Sequence, residues 1–386
     1  MTLREEGYEG RVVLVGEELH LPYERPPLSK EYLRGEVAFE QALVRAFDFY
    51  AEHDIETRLG VRAVRLDPAA RIVELADGER LEYEKVLIAT GARNRRPDIA
   101  GLALEGVFDL RTVDDADRIR AEARPGRKAV VVGMGFIGSE VAASLRQLEV
   151  EVAVVAPGSA PLERLLGEEV GGVLAEIHRE KGVELLFGDS VDAFEGSNRV
   201  ERVVTRAGRT IECDFAVIGV GVEPAVELAA ATGVELDNGI VVDEYCRTSV
   251  EGVYAAGDVA NHYHPVFERR IRVEHWDNAL KHGPAAARNM LGKDEPYEDI
   301  PWFWSDQYDT NLQYAGFHTS WDELVVRGSL EERSFVAFYC TAGRVLAAVA
   351  VNRGKDLRRS IPLIKARRPV QPAKLRQPDI DLRTLA

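Results

Sequence analysis

In this 386-residue chain, the glycines Gly133, Gly135 and Gly138 of GMGFIG have the spacing with the clearest chemical consequence. An all-apolar run, Ala129–Val132, precedes them, and a stretch with apolar residues at helical spacing follows. Strand, glycine-rich turn and helix, in that order, let backbone turn tightly and approach a pyrophosphate. The helix then offers that phosphate its unpaired N–H groups and the positive end of its dipole. The implied ligand is a dinucleotide. A tight strand-to-helix turn that binds nothing is the alternative.

In such a unit the second strand, here Val152–Val155, commonly ends in an acid that bonds the adenosine ribose. That place falls near Ala156 and holds none. Arg164 is the nearest cation for a 2′-phosphate, and a plain surface arginine reads the same way, so NADH and NADPH both stay open. The chain opening repeats the pattern. LREEGYEGRVVLVGE and LRQLEVEVAVVA share Leu-Arg on a helix and then a valine-rich strand. Leu145 lies twelve residues after Gly133, so the first glycine of an equivalent loop belongs twelve residues before Leu3. Glu17 then stands in the ribose-binding place, with a solvated loop acid as the alternative. On this count roughly 15–20 residues, the front of a βαβ unit, are expected before Met1. Without them neighbouring strands lose their pairing and the phosphate its N–H donors.

The elements that must position these residues are legible in outline. Leu3–Gly7 reads as the end of a helix and Val12–Val15 as a strand. Further strands are expected at Val183–Phe187, Val200–Thr205 and Ala216–Val220, and strands alternating with helices imply a parallel sheet covered on both faces. Arg71–Leu75 and Leu81–Ile88 flank Asp77-Gly78, a hairpin signal. Gly239–Val242 and Val253–Ala255 read as the remaining strands of the first domain. Beyond Pro301 aromatic residues become frequent, and Ser334–Tyr339 with Val345–Val351 suggests an antiparallel pair around Gly343. The expected fold is α/β: two Rossmann-like nucleotide-binding domains, one inserted in the other, plus a small α+β C-terminal domain. The boundaries are 1–101 with 236–300, then 102–235, then 301–386.

Composition narrows the function. A net charge of −16 argues against general affinity for nucleic acid. No stretch approaches the roughly 20 apolar residues of a membrane span. Charged residues interrupt the first fifteen positions, so no secretory leader is expected. Cys213, Cys246 and Cys340 are isolated, which excludes a CxxC metal or redox pair and points to a reducing, cytoplasmic setting.

Six further segments bear on identity: PYERPPLSK at 22–30, LIATGA at 87–92, VIGVGVEP at 217–224, TSVEGVYAAGDVA at 248–260, VEHWDNALKHG at 273–283 and PWFWSDQY at 301–308. With GMGFIG they resemble the flavin-dependent NAD(P)H:ferredoxin (rubredoxin or putidaredoxin) reductases, relatives of the apoptosis-inducing-factor flavoproteins. The resemblance covers nearly the whole chain; Ala156 and the missing front depart from it. It implies FAD and NAD(P)H as cofactors, because a hydride donor needs a flavin to feed a one-electron acceptor. It implies that Lys30 and Glu140 form an ion pair beside flavin N5, the catalytic pair, with two solvated side chains on separate faces as the alternative. Asp258 would hold the ribityl and phosphate end, and Arg25, Ala63 and Arg111 would contact FAD. Gly221 falls in the segment returning to the flavin domain. Trp276 and Trp304 would lie near the isoalloxazine, with the helix starting near Trp276 aimed at N1–C2=O; core aromatics are the alternative. Ser29-Lys30 stand where related enzymes need a thiol, so thiol chemistry is not expected.

The implied partner is a ferredoxin-type iron–sulfur protein. Nine cations from Arg353 to Arg376, among them Arg358 and Arg359, offer a basic docking face for an acidic partner; a solvated basic tail is the alternative. Two other functions remain: a flavoprotein like apoptosis-inducing factor whose redox state controls association, and a truncated nucleotide-binding remnant. Met1 is expected not to be the natural start, and the chain as it stands to bind FAD poorly.

Overall fold

Lys128–Val132 forms a strand with its last four residues buried, as β-branched side chains suit a sheet covered on both faces. It is the centre of a five-stranded parallel sheet. The order is Glu184–Phe187, Glu151–Ala156, Lys128–Val132, Phe215–Ile218 and Val107–Asp109. The helices Val113–Glu122, Phe136–Gln147 and Glu163–Glu180 connect or flank these strands. Thr112 and Asp115 close the first of them with a reciprocal capping box. The strand expected at Val200–Thr205 is shorter, Arg202–Thr205, and lies outside this sheet. It pairs antiparallel with Val191–Glu195 and Thr210–Glu212, because Gly208 at φ +81 turns the chain back on itself.

The computed structural model describes residues Met1–Ala386, which divide into two units. One comprises Met1–Glu24, Phe39–Arg93 and Glu223–Pro301; the other comprises Arg25–Ala38, Asn94–Val222 and Trp302–Ala386. Arg25–Ala38 therefore groups with the parallel sheet and not, as the boundary at 101 implies, with the opening strands. Its side chains explain this: Tyr32 donates to Asp117 at 2.8 Å, and Ser144 donates to the Ser29 carbonyl at 2.7 Å.

In the second unit, Trp302–Ala386 carries a five-stranded antiparallel sheet ordered Trp302–Gln307, Thr310–Gly316, Arg344–Val351, Ser334–Thr341 and Glu323–Ser329. The expected pair around Gly343 lies within it. Leu166, Val170, Leu174 and Ile177 of the long helix pack on its Phe303, Tyr314 and Tyr339. In the first unit, Val12–Gly16 pairs in parallel with Ile55–Leu59, and Val86–Ile88 with Val253–Ala255. The single strand expected over Leu81–Ile88 is two. Arg80–Glu82 pairs with Ile72–Glu74 across the Gly78 turn, whereas the Val86 N–H bonds the Gly252 carbonyl. The opening helix is one turn, Thr2–Glu5, held by Arg4, which donates to the carbonyls of Tyr8, Gly10, His53 and Asp54. No helix is long and apolar enough to cross a membrane.

Candidate nucleotide and redox sites

The glycine turn has the geometry a pyrophosphate requires. Gly133 has φ +93, and a Cβ there would meet the Gly219 carbonyl oxygen at 2.5 Å. At Gly138 a Cβ would meet the Gly133 carbonyl oxygen at 2.1 Å, so helix and strand can approach only as glycine. Gly135, between them, has nothing within 4 Å of its Cβ direction, which is the open side of the turn. It is also the N-cap of Phe136–Gln147 and supplies no side-chain cap, leaving the first N–H groups for a ligand. Gly221 follows the Phe215–Ile218 strand at φ +100, again facing open space, and its carbonyl accepts the Arg95 N–H at 3.0 Å. Ala156 ends its strand buried, and Arg164 is exposed on the first turn of the next helix.

Within the same unit Lys30 and Glu140 meet. Lys30 is 4 % and Glu140 5 % exposed, and Lys30 Nζ lies 3.2 Å from Glu140 Oε2. The same oxygen accepts from Ser29 Oγ, while Glu140 Oε1 accepts from Ser305 Oγ at 2.8 Å. One buried carboxylate thus receives three donors from two chain segments, which is how a buried charge is accommodated. The network continues inward. Gln307 Nε2 donates to Ser305 at 3.1 Å, Gln307 Oε1 lies 2.9 Å from His178 Nε2, and His178 Nδ1 lies 3.0 Å from the Tyr308 hydroxyl. Burial lowers the His178 pKa to about 4, so the imidazole is neutral near pH 7. Trp304 stands 5.9 Å from Lys30 Nζ at its ring centroid and stacks on Trp302 at 5.4 Å. Arg25 Nη1 donates to the Arg111 carbonyl at 2.6 Å, so these two candidates also come together.

The remaining candidates lie in the first unit. Glu17 is exposed just past Val12–Gly16, and half-buried Ala63 opens the strand Ala63–Asp67. Asp258 sits in the turn Gly257–Val259, where its carbonyl accepts from Arg272 Nη1 at 3.3 Å. The Gly257 N–H donates to His282 Nδ1 at 3.2 Å, tying that turn to the helix Trp276–Met290. That helix begins at Trp276 with no side-chain cap. All three cysteines are buried and unpaired, and burial pushes their thiols up to about 12, far from a reactive thiolate.

Ser29, Ser305, Gln307 and His178 are the residues that sequence reasoning missed. One signal was available. In Trp302–Gln307 the buried face alternates as Phe303, Ser305, Gln307, and two polar residues on the covered face of a strand require partners.

Known proteins resemble this chain over nearly its whole length. Residues 1–283 match the pyridine nucleotide-disulphide oxidoreductase family, and residues 302–386 match the reductase C-terminal family. The anthranilate 1,2-dioxygenase system ferredoxin–NAD(+) reductase component of Burkholderia cepacia is 39 % identical, over 99 % of this chain and 95 % of its own length. Rhodocoxin reductase of Rhodococcus erythropolis is 37 % identical, over 99 % of this chain and 90 % of its own length. Among solved structures, the covalent putidaredoxin reductase–putidaredoxin complex superposes with a TM-score of 0.96 and 34 % identity, covering 100 % of this chain and 94 % of that one.

Proposed function

Because the chain belongs to the pyridine nucleotide-disulphide oxidoreductase family and carries its reductase C-terminal domain, we infer that it is an FAD-dependent reductase. It takes hydride from NAD(P)H and passes single electrons to a ferredoxin-type iron–sulfur protein. The observation that carries this reading is the buried Lys30–Glu140 pair one turn beyond the glycine loop. The uncapped helix start at Trp276 and the positive-φ turn Gly257-Asp258 fit a flavin in the first unit. Bound FAD would supply the conversion from a two-electron donor to a one-electron acceptor.

The chain's own residues do the rest. The glycine turn and its helix orient the nicotinamide nucleotide through backbone N–H groups. Ser29 and Ser305 fix the Glu140 carboxylate, which in turn fixes the Lys30 ammonium at one position in a dry site. There its charge acts with little screening on any negative charge that develops nearby. Within the first unit, Asp258, Glu17 and Ala63 hold the flavin nucleotide, with Trp276 beside its ring. We assign FAD binding to residues 1–101 with 236–300, apart from Arg25–Ala38, which groups with the parallel sheet, NAD(P) binding to 102–235 and the partner interface to 301–386. Three buried, unpaired cysteines favour a cytoplasmic setting.

The acceptor docks on exposed Arg358 and Arg359 of the helix Gly354–Ala366. Asp356 pairs with Arg353 at 2.9 Å and lies 3.8 Å from Arg359, which leaves Arg358 the less neutralised of the two. The test uses the FAD-loaded protein with NADH. Reversing both arginines to Glu is expected to slow reduction of an acidic ferredoxin about tenfold or more at low salt, and to leave ferricyanide reduction unchanged. Equal loss with both acceptors contradicts this docking face.

A further inference from the structure

We propose that Glu163 makes this protein selective for NADH, taking over from the strand-end position occupied by Ala156. The inference rests on the nicotinamide-dependent reading above and deepens it by naming the coenzyme. After Ala156 the chain crosses directly over the dinucleotide turn. The Leu162 N–H bonds the Met134 carbonyl at 2.9 Å, Leu162 itself has φ +52, and the Gly158 carbonyl accepts the Gly188 N–H at 3.1 Å. The crossing loop is thus pinned beside Gly133–Gly135, where the adenosine end of a dinucleotide must lie.

Glu163 opens the next helix and turns back into this loop. Its Oε2 accepts the Ser159 N–H at 2.9 Å, and a Cβ at Gly158 would meet that oxygen at 2.4 Å. Glycine at 158 is what lets the carboxylate lie against the loop. Ser159 Oγ donates to Glu168 Oε1 at 2.9 Å. Both Ser159 donors are therefore spent on carboxylates. A 2′-phosphate carries close to two negative charges and needs cations and N–H donors. Here it would meet Glu163 and Glu168, with exposed Arg164 as the cation at hand. A ribose 2′-hydroxyl, by contrast, is a donor, and a carboxylate in this place accepts from it. The acid expected at the strand end has moved seven residues along the chain and folds back to the same loop.

The test is calorimetric binding of NAD⁺ and NADP⁺, repeated with 5′-AMP and 2′,5′-ADP, which needs neither flavin nor acceptor. The parent chain is expected to bind NAD⁺ at least about tenfold more tightly than NADP⁺, a difference of about 1.4 kcal/mol. Glu163→Gln keeps an acceptor for the Ser159 N–H and removes the charge; it is expected to shrink that ratio about fivefold or more with an unchanged melting temperature. Arg164→Ala is expected to leave the ratio within about twofold. Equal affinity for both coenzymes in the parent, or an unchanged ratio in Glu163→Gln, overturns the proposal. So does selective loss of NADP⁺ binding in Arg164→Ala. If the parent binds neither nucleotide, the nicotinamide reading itself fails.

Discussion

Val12–Gly16 and Glu151–Ala156 are both valine-rich strands entered from a Leu-Arg helix end, and they sit in different surroundings. Glu151–Ala156 has parallel partners on both sides and five of its six residues buried. Val12–Gly16 pairs with Ile55–Leu59 alone, and all five of its residues are half-buried. The same contrast appears in their acids. Glu17 follows its strand exposed, whereas Ala156 ends its strand buried and the acid of its loop comes from Glu163. Local pattern decides that a strand forms; neighbours on both edges decide how far it is buried and where a ligand-facing charge can stand.

The largest effects should come from the glycine turn of the better-buried unit. Gly138→Val places side-chain atoms on the Gly133 carbonyl and is expected to cost about 3 kcal/mol or more, with loss of NAD⁺ binding by calorimetry. Gly135→Ala, three residues earlier and facing open space, is expected to change stability by under about 1 kcal/mol. Similar losses in both would show that the turn is not close-packed as described. Next comes the redox cluster. Glu140→Ala strands a buried Lys30 ammonium and is expected to cost about 3 kcal/mol in chemical denaturation. A cost near zero would mean that water reaches the pair.

The comparison of strands itself is sharpened by one matched pair. Val154→Ala removes two fully buried methyl groups and is expected to cost about 2 kcal/mol. Val13→Ala, half-buried, should cost under about 1 kcal/mol. Equal costs would place the two strands in equivalent surroundings.

The smallest effect is a pH dependence. His178 is neutral in the fold, with a pKa of about 4 against the ordinary 6.5, so the unfolded chain takes up its proton first as pH falls. Stability from this group is complete above pH 6.5 and declines between pH 6.5 and 4. His178→Asn should make that acid limb shallower in melts taken across the range. An unchanged limb would remove His178 from the account.

Much of the site could be read from residue types and spacing. The glycine turn, its parallel sheet and the antiparallel pair around Gly343 follow from apolar period and turn chemistry. The meeting of Lys30 with Glu140 did not follow from spacing, since they lie 110 residues apart; family resemblance supplied it. Ser29, Ser305, Gln307 and His178 escaped because a single serine or histidine in an apolar run carries no period of its own. Their roles depend on which segment packs against them. The same holds for Arg25–Ala38, whose side-chain bonds to Asp117 and Ser144 outweigh its place in the sequence. The strand expected at Val200–Thr205 belongs to an antiparallel hairpin and not to the alternating pattern, because the short turn at Gly208 is all that separates a hairpin from a parallel strand there.

The most direct measurement is an anaerobic absorbance experiment on the protein reconstituted with FAD. One equivalent of NADH should bleach the bound flavin, and a two-iron ferredoxin added next should restore its colour as two equivalents of the carrier become reduced. Glu140→Gln should slow the bleaching while leaving NAD⁺ binding by calorimetry in place. A flavin that NADH does not bleach, or one that bleaches and does not pass its electrons to the ferredoxin, would contradict the assignment.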